Sequence, residues 1–223
     1  MNHCVLLTRP HGSNEELSRL LKLSGIQSLE RPMLEIRPVQ KASQLKTQAL
    51  NLDQCSCVIF VSRSAVRYGV ELLEKYWPQW PKIDWFAVGK ATGNALEEYG
   101  IKAAYPEQAG SEGLLDIEQL QNLNNKLVMI VRGRGGRELL ATELSSRGAK
   151  VSYLEVYERI EIEYGEALPS DMFTHGVDLA VATSAQGMQH LLSSLTAQEI
   201  ATLHLVVPSK RIARLADEMG CVH

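Results

Sequence analysis

A cationic surplus is missing from this chain. Its 223 residues carry 23 Lys and Arg against 26 Asp and Glu, a net charge of −3. Nucleic-acid binding rests on basic groups that offset phosphate charge, so no nucleic-acid partner is expected. No apolar run approaches the roughly 20 residues that cross a bilayer. Met1-Asn2-His3-Cys4 runs into an apolar stretch without the basic region and long hydrophobic segment of a signal peptide. The expectation is a cytoplasmic protein with no membrane partner.

Cysteine is scarce too. Of Cys4, Cys55, Cys57 and Cys221, the two close together, in Cys55-Ser56-Cys57, lack the two-residue gap of a zinc knuckle or redox pair. Free, buried thiols are expected. The six histidines are scattered without i, i+4 spacing beside a carboxylate, so no metal and no cofactor are expected. Neither a Ser-His-Asp nor a Cys-His arrangement stands out, and no pair of carboxylates does. Arg132-Gly133-Arg134-Gly135-Gly136-Arg137 contains G-x-G, but Glu138 occupies the place of the third glycine of a dinucleotide fingerprint. The lysine-hydroxyl ending of a phosphate loop is absent as well.

What the chain does have is repetition. Val5-Leu6-Leu7-Thr8-Arg9 returns as Val128-Met129-Ile130-Val131-Arg132, and Gly12/Gly135, Glu15/Glu138, Leu17/Leu140, Leu21/Leu144 and Gly25/Gly148 keep the same spacing of 123. Ile59-Phe60-Val61-Ser62 returns 122 residues later as Val181-Ala182-Thr183-Ser184. Phe86-Ala87-Val88-Gly89-Lys90 returns as Leu205-Val206-Val207-Pro208-Ser209-Lys210, with Gly100 and Gly220 120 apart. Two similar halves, with a cleft between them, are the reading.

Each repeated unit is a short apolar strand, a polar turn and an amphipathic helix. Leu17, Leu20, Leu21 and Ile26 mark the apolar side of the first helix, and Leu139, Leu140 and Leu144 that of its copy; Gly25 and Gly148 close them. Strands alternating with such helices imply right-handed crossovers and parallel sheets covered on both faces, an α/β fold. Two stretches break the rhythm: Glu30 to Pro38, and Tyr153 to Ile162. Both alternate charged and apolar residues, and Pro32 and Pro38 suit an edge or linker. They hold equivalent places and are read as a paired hinge.

In a parallel sheet, ligands bind beyond the carboxyl ends of the strands. Six turns fall there: Thr8-Arg9-Pro10; Ser62-Arg63-Ser64; Gly89-Lys90-Ala91-Thr92; Arg132 to Arg137; Thr183-Ser184-Ala185; and Ser209-Lys210-Arg211. Five carry a basic residue, in a protein that is acidic overall. Helix N-termini add unpaired N–H groups and partial positive charge. The combination points to an elongated, multiply anionic ligand. Ser62, Thr92, Ser111 and Ser184 also suit N-caps, and taken singly each is explained that way.

In this order, the blocks resemble the uroporphyrinogen-III synthase family. The matching stretches are Leu7-Thr8-Arg9-Pro10; Ile59 to Val66; Ala87 to Leu96; Ser111-Glu112-Gly113-Leu114-Leu115; Arg132 to Arg137; Val156-Tyr157-Glu158-Arg159; Ala182-Thr183-Ser184; and Ser209 to Ala213. The resemblance implies two doubly wound parallel-sheet domains of flavodoxin-like type, joined by a two-stranded β-ladder hinge. Residues 1–31 with 163–223 form one domain and 39–155 the other; 32–38 and 156–162 are linkers. It implies cyclisation of hydroxymethylbilane to uroporphyrinogen III, with inversion of ring D, loss of water and a spirocyclic intermediate. Tyr157 is then the catalytic acid. Arg9, Ser62, Arg63, Ser64, Gly89, Lys90, Thr92, Ser111, Glu112, Gly113, Arg132, Gly133, Thr183, Ser184, Ser209, Lys210 and Arg211 are then the substrate contacts. A monomer with transient hand-off from hydroxymethylbilane synthase is expected. Gly93 stands where the family often has alanine, and Pro208-Ser209-Lys210 replaces a glycine-containing turn. The competing readings are a non-catalytic two-lobed binder of a tetrapyrrole or polyanion, and a sugar- or phosphate-binding α/β protein.

Overall fold

Runs of apolar and β-branched residues form the strands, each leading through a turn into a helix. A computed structural model describes residues 4–40, 42–136 and 138–221. In chain order, β1 (Cys4–Leu7), α1 (Glu15–Leu23), β2 (Gln27–Glu30) and β3 (Leu34–Pro38) come first. They lead to α2 (Ala42–Leu50), β4 (Cys57–Phe60), α3 (Arg63–Leu73), β5 (Asp84–Ala87), α4 (Lys90–Glu97) and α5 (Ser111–Leu115). Next are β6 (Leu127–Gly133), α6 (Leu139–Ser146) and the long β7 (Lys150–Glu161). The chain continues with α7 (Ala167–His175), β8 (Val177–Val181), α8 (Ala185–Ser193), α9 (Ala197–Thr202), β9 (His204–Val206) and α10 (Lys210–Glu218).

Contacts group the chain into two units, Met1–Ile36 with Ile160–His223, and Arg37–Arg159. The first holds a sheet in the order β2-β1-β8-β9, parallel throughout. The other sheet runs β3-β7-β6-β4-β5, with its last four strands parallel. Edge strand β3 runs against β7: Val39 N–H donates to Val156 O, whereas Met33 O accepts from Ile162 N–H. Pro38 ends it, where a missing N–H breaks no ladder bond.

The repeat reappears in these orders. Pairing β1 with β6, β2 with β7, β8 with β4 and β9 with β5 turns β2-β1-β8-β9 into β7-β6-β4-β5. Register agrees: Cys4 faces Gln27 as Leu127 faces Lys150. Each unit therefore combines one piece from each sequence half. The paired glycines keep one conformation: φ is 73° at Gly25 and 89° at Gly148, 73° at Gly100 and 88° at Gly220. All four residues follow a helix in the left-handed region that suits glycine.

Leu6, Met33, Ala180, Met188, Leu191 and Ile212 form the core of the first unit. In the second, Ile59, Leu114, Val128, Ile130, Leu140 and Leu144 pack on one sheet face. Phe60, Val66, Val70, Leu73 and Trp85 are buried as well, and Phe60 stacks on Trp85. The apolar side expected of α1 is covered only in part: the helix has no buried residue, and Leu20 and Leu23 are exposed. Cys4, Cys55, Cys57 and Cys221 are free and buried, as expected. Burial, with Asp53 beside one and Asp84 beside the other, pushes Cys55 up to about 11 and Cys57 up to about 12. Among the described residues no helix is long and apolar enough to cross a membrane.

Candidate active site

Because neighbouring strands are parallel, their carboxyl ends, and the turns that follow, share one edge of each sheet. In the first unit that edge gathers Thr8-Arg9 after β1, Thr183-Ser184 after β8 and Ser209-Lys210-Arg211 after β9. The Thr8 hydroxyl donates to Val181 O at 2.8 Å and ties two of these ends together. Ser184 caps α8 by accepting from Gly187 N–H at 3.1 Å, and Ser209 caps α10 by accepting from Ile212 N–H at 3.4 Å. In the second unit the edge gathers Ser62-Arg63-Ser64 after β4, Gly89-Lys90 after β5 and Arg132-Gly133 at the end of β6. Ser62 caps α3, accepting from Ala65 N–H at 3.0 Å. Gly110 N–H donates to Val88 O at 2.9 Å, which brings Ser111, Glu112 and Gly113 to the same edge.

The capping expectation holds for Ser62 and Ser184 and fails for two others. The N-caps of α4 and α5 are Gly89 and Gly110, while Thr92 is buried within α4 and Ser111 is the first residue of α5. Close packing explains one glycine. A Cβ on Gly89 would lie 2.7 Å from that of Ala109. Gly113 is similarly confined, its Cβ position lying 2.0 Å from Gln108 O.

Tyr157 lies on β7 beside α3 and is 2% exposed. Its hydroxyl is 3.1 Å from Ser62 Oγ and accepts a hydrogen bond from Arg159 Nη2 at 3.1 Å. The Arg159 guanidinium also lies 5.3 Å from the ring centroid, and the Tyr68 ring is 6.1 Å away, tilted. Gly133 makes room for the phenol: any Cβ there would fall 2.4 Å from the ring.

Arg132 is unlike the other cations. It is 5% exposed, donates to Gly133 O at 3.2 Å and to Glu138 Oε1 at 3.0 Å, bonds Gly135 O, and lies 4.6 Å from the Tyr153 ring centroid. The Tyr153 hydroxyl donates to Glu138. This bond, with Arg132, holds the Glu138 carboxyl below its ordinary range; burial and the same carboxylate push Tyr153 up. Arg132 thereby shapes its own loop. Arg63, Lys90, Lys210 and Arg211 are exposed, Arg9 and Ser64 half-buried and Thr183 exposed, and among the described residues none of these five cations has an ion-pair partner. Arg137 lies outside the described residues.

Two groups were not singled out from sequence. Arg159 lies within the Val156-Tyr157-Glu158-Arg159 stretch, where sequence assigns it no role; its i, i+2 spacing from Tyr157 on an alternating strand is the available signal. Asn14, 1% exposed, donates Nδ2 to Arg9 O at 3.1 Å and so supports that turn. Nothing in its spacing marked it. Glu161, Glu163 and His190 place one potential metal ligand each within 4.8 Å of one another. The His190 ring already meets Ile162 O at 2.9 Å through Nε2 and Glu161 Oε2 at 3.7 Å through Nδ1, which accounts for its burial without an ion.

The family model described as "Uroporphyrinogen-III synthase HemD" matches residues 15–223. The uroporphyrinogen-III synthase of Escherichia coli K12 is 36% identical over 97% of this chain and 91% of its own length. That of Salmonella typhimurium LT2 is 34% identical over the same shares, 97% and 91%. In structure, a mutant uroporphyrinogen III synthase from the extreme thermophile Thermus thermophilus matches with a TM-score of 0.67 at 19% identity, covering 98% of this chain and 89% of that one. The first three findings settle the family and the last the fold: this chain belongs to the uroporphyrinogen-III synthases.

Proposed function

We propose that this chain cyclises hydroxymethylbilane to uroporphyrinogen III, inverting ring D and releasing water. One observation carries the chemistry: the Tyr157 hydroxyl is fixed against the cap of α3 at a strand's carboxyl edge. Loss of the substrate's terminal hydroxyl leaves an electron-poor azafulvene that a pyrrole carbon attacks. Head-to-tail closure occurs unaided, so the enzyme's work is to direct attack toward the spirocyclic intermediate. Orientation of this kind contributes several kcal/mol. Tyr157 supplies the proton that turns the leaving hydroxyl into water.

Each pyrrole bears an acetate and a propionate. The capped turns at Ser62, Ser184 and Ser209, the glycine turns at Gly89 and Ser111-Glu112-Gly113, and Arg9, Arg63, Lys90, Lys210 and Arg211 supply N–H groups and positive charge to these carboxylates. Ser64, Thr92 and Thr183 complete the set, and Arg132 and Gly133 serve by shaping the loop and admitting the phenol. Residues 1–31 with 163–223 and residues 39–155 act as separate lobes, with 32–38 and 156–162 as linkers. The protein works in the cytoplasm as a monomer that receives its substrate by transient hand-off. Freshly generated hydroxymethylbilane tests the reading. Accumulation of the type III isomer supports it, and type I alone at the uncatalysed rate leaves a tetrapyrrole-binding protein instead.

A further inference from the structure

Four groups meet at the start of α3, and their protons can be counted. Ala65 N–H donates to Ser62 Oγ at 3.0 Å, and Arg159 Nη2 donates to the Tyr157 hydroxyl at 3.1 Å. Neither group can accept. The two hydroxyls, 3.1 Å apart, share one hydrogen bond and therefore use one of their two protons. The other proton has no acceptor among the described residues. Burial decides which oxygen presents it. Tyr157 is 2% exposed and Ser62 half-buried, so the outward proton belongs to serine.

We propose that the proton reaches the substrate through Ser62, with Tyr157 as its buried source and Arg159 as the residue that positions the phenol and balances the charge it leaves. This rests on the synthase reading. Ser62 Oγ–H gives its proton to the departing hydroxyl as the C–O bond breaks and water leaves. Tyr157 O–H refills Ser62, and the phenolate is held by Arg159. Ring closure later frees one proton from the pyrrole carbon that makes the attack, and its return by the same route restores Tyr157. Protons and electrons balance over the cycle, and no oxidant or reductant enters. Facing the phenol are Arg159 from β7, Ser62 at the cap of α3 and Tyr68 from α3, with Arg67 5.3 Å from the Tyr68 ring centroid, and Gly133 from β6.

The test exploits the fact that asparagine caps helices as well as serine but carries no hydroxyl proton. Ser62→Thr should keep kcat within about threefold. Ser62→Asn should lower kcat by about 10²-fold, in the range of general-acid effects. Joined with Tyr157→Phe, it should cost no more than either change alone, as expected of groups acting as a unit. Arg159→Gln should lower kcat and move the alkaline limb of its pH profile upward, a shift that a packing role would not produce. Full activity in Ser62→Asn, multiplicative losses in the double variant, or an unmoved limb would overturn the relay. A parent protein that makes no type III isomer would instead sink the synthase reading, so the two failures are distinguishable.

Discussion

Leu34 and Tyr157 stand 123 positions apart, at equivalent places after β1–β2 and along β6–β7. Each packs near a helix capped by serine, Ser184 for one and Ser62 for the other. Leu34 is 3% exposed, and its Cδ1 lies 3.8 Å from the point where a Gly187 Cβ would sit, with Ser184 Oγ 3.0 Å from that point. One position thus sets hydrocarbon beside its cap and the other a phenol. The capped, cationic turns are duplicated and the transferable proton is not. In the proposed reaction that division matches the substrate, which carries carboxylates on every ring but only one hydroxyl to lose.

The same duplication shows a second contrast. Leu140 and Leu144 of α6 are 4% and 0% exposed, while their counterparts Leu17 and Leu21 on α1 are only half-buried. In the second unit α5 packs on α6 and adds Leu114 and Leu115 to the same core. No described element fills that place beside α1. The corresponding sheet face keeps Leu179 and Val181 half-buried and Val206 50% exposed.

Truncation should make the second contrast measurable. Leu144→Ala should cost about 3 kcal/mol in denaturant unfolding and Leu21→Ala about 1, because only the former leaves an enclosed cavity. Equal costs would mean that α1 is covered in solution. For the first contrast, Tyr157→Phe should reduce kcat about 10²-fold with KM little changed. Leu34→Met, a volume-conserving change, should leave kcat near that of the parent; a comparable loss there would remove the functional asymmetry.

Smaller effects separate the paired glycines. Alanine at Gly25 faces only the left-handed φ of 73° and should cost about 1 kcal/mol. At Gly148 the new Cβ also comes within 3.0 Å of Asn124 Cα, so roughly 2 kcal/mol is expected in the same assay. Alkaline titration should show a cost of similar size. The folded thiols of Cys55 and Cys57 titrate near 11 and 12, against an ordinary 9.0. Their contribution is full below pH 9 and fades as pH rises toward those values, at about 1 kcal/mol per thiol by pH 10. Cys57→Ala should flatten the measured slope between pH 9 and 10. Smallest are the exposed cations: single alanines at Arg9, Arg63, Lys90 or Lys210 should raise KM several-fold at most, each pair being worth about 0–1 kcal/mol. Salt should weaken binding in the parent, and a salt-indifferent KM would argue against carboxylate capture.

Strand-turn-helix periodicity and the paired glycines make the α/β fold and its internal repeat legible in the sequence. Gly25 and Gly148 were legible as helix stops and Gly100 and Gly220 as a repeated pair; that all four are left-handed, a conformation that disfavours any side chain, is what the structure adds. Sequence offered less on coverage, since Leu20 looks apolar whether or not a neighbour covers it. The capping residues were half legible. Ser62 and Ser184 stand two and three residues after their strands with a side chain that can cap, whereas the tight approach that selects Gly89 over a serine depends on Ala109, twenty residues away. Arg132 was visible as a cation but not as a buried one, because its partners Glu138 and Tyr153 converge only in the folded loop.

The most direct test replaces the two equivalent caps in turn. Ser62→Asn and Ser184→Asn both keep an N-cap and remove a hydroxyl, so their folding costs should match. With hydroxymethylbilane as substrate, the first should lower kcat about 10²-fold, and the second should leave kcat intact and raise KM by no more than several-fold. Identical kinetic effects from the two substitutions would contradict the claim that one duplicated frame carries a single proton path.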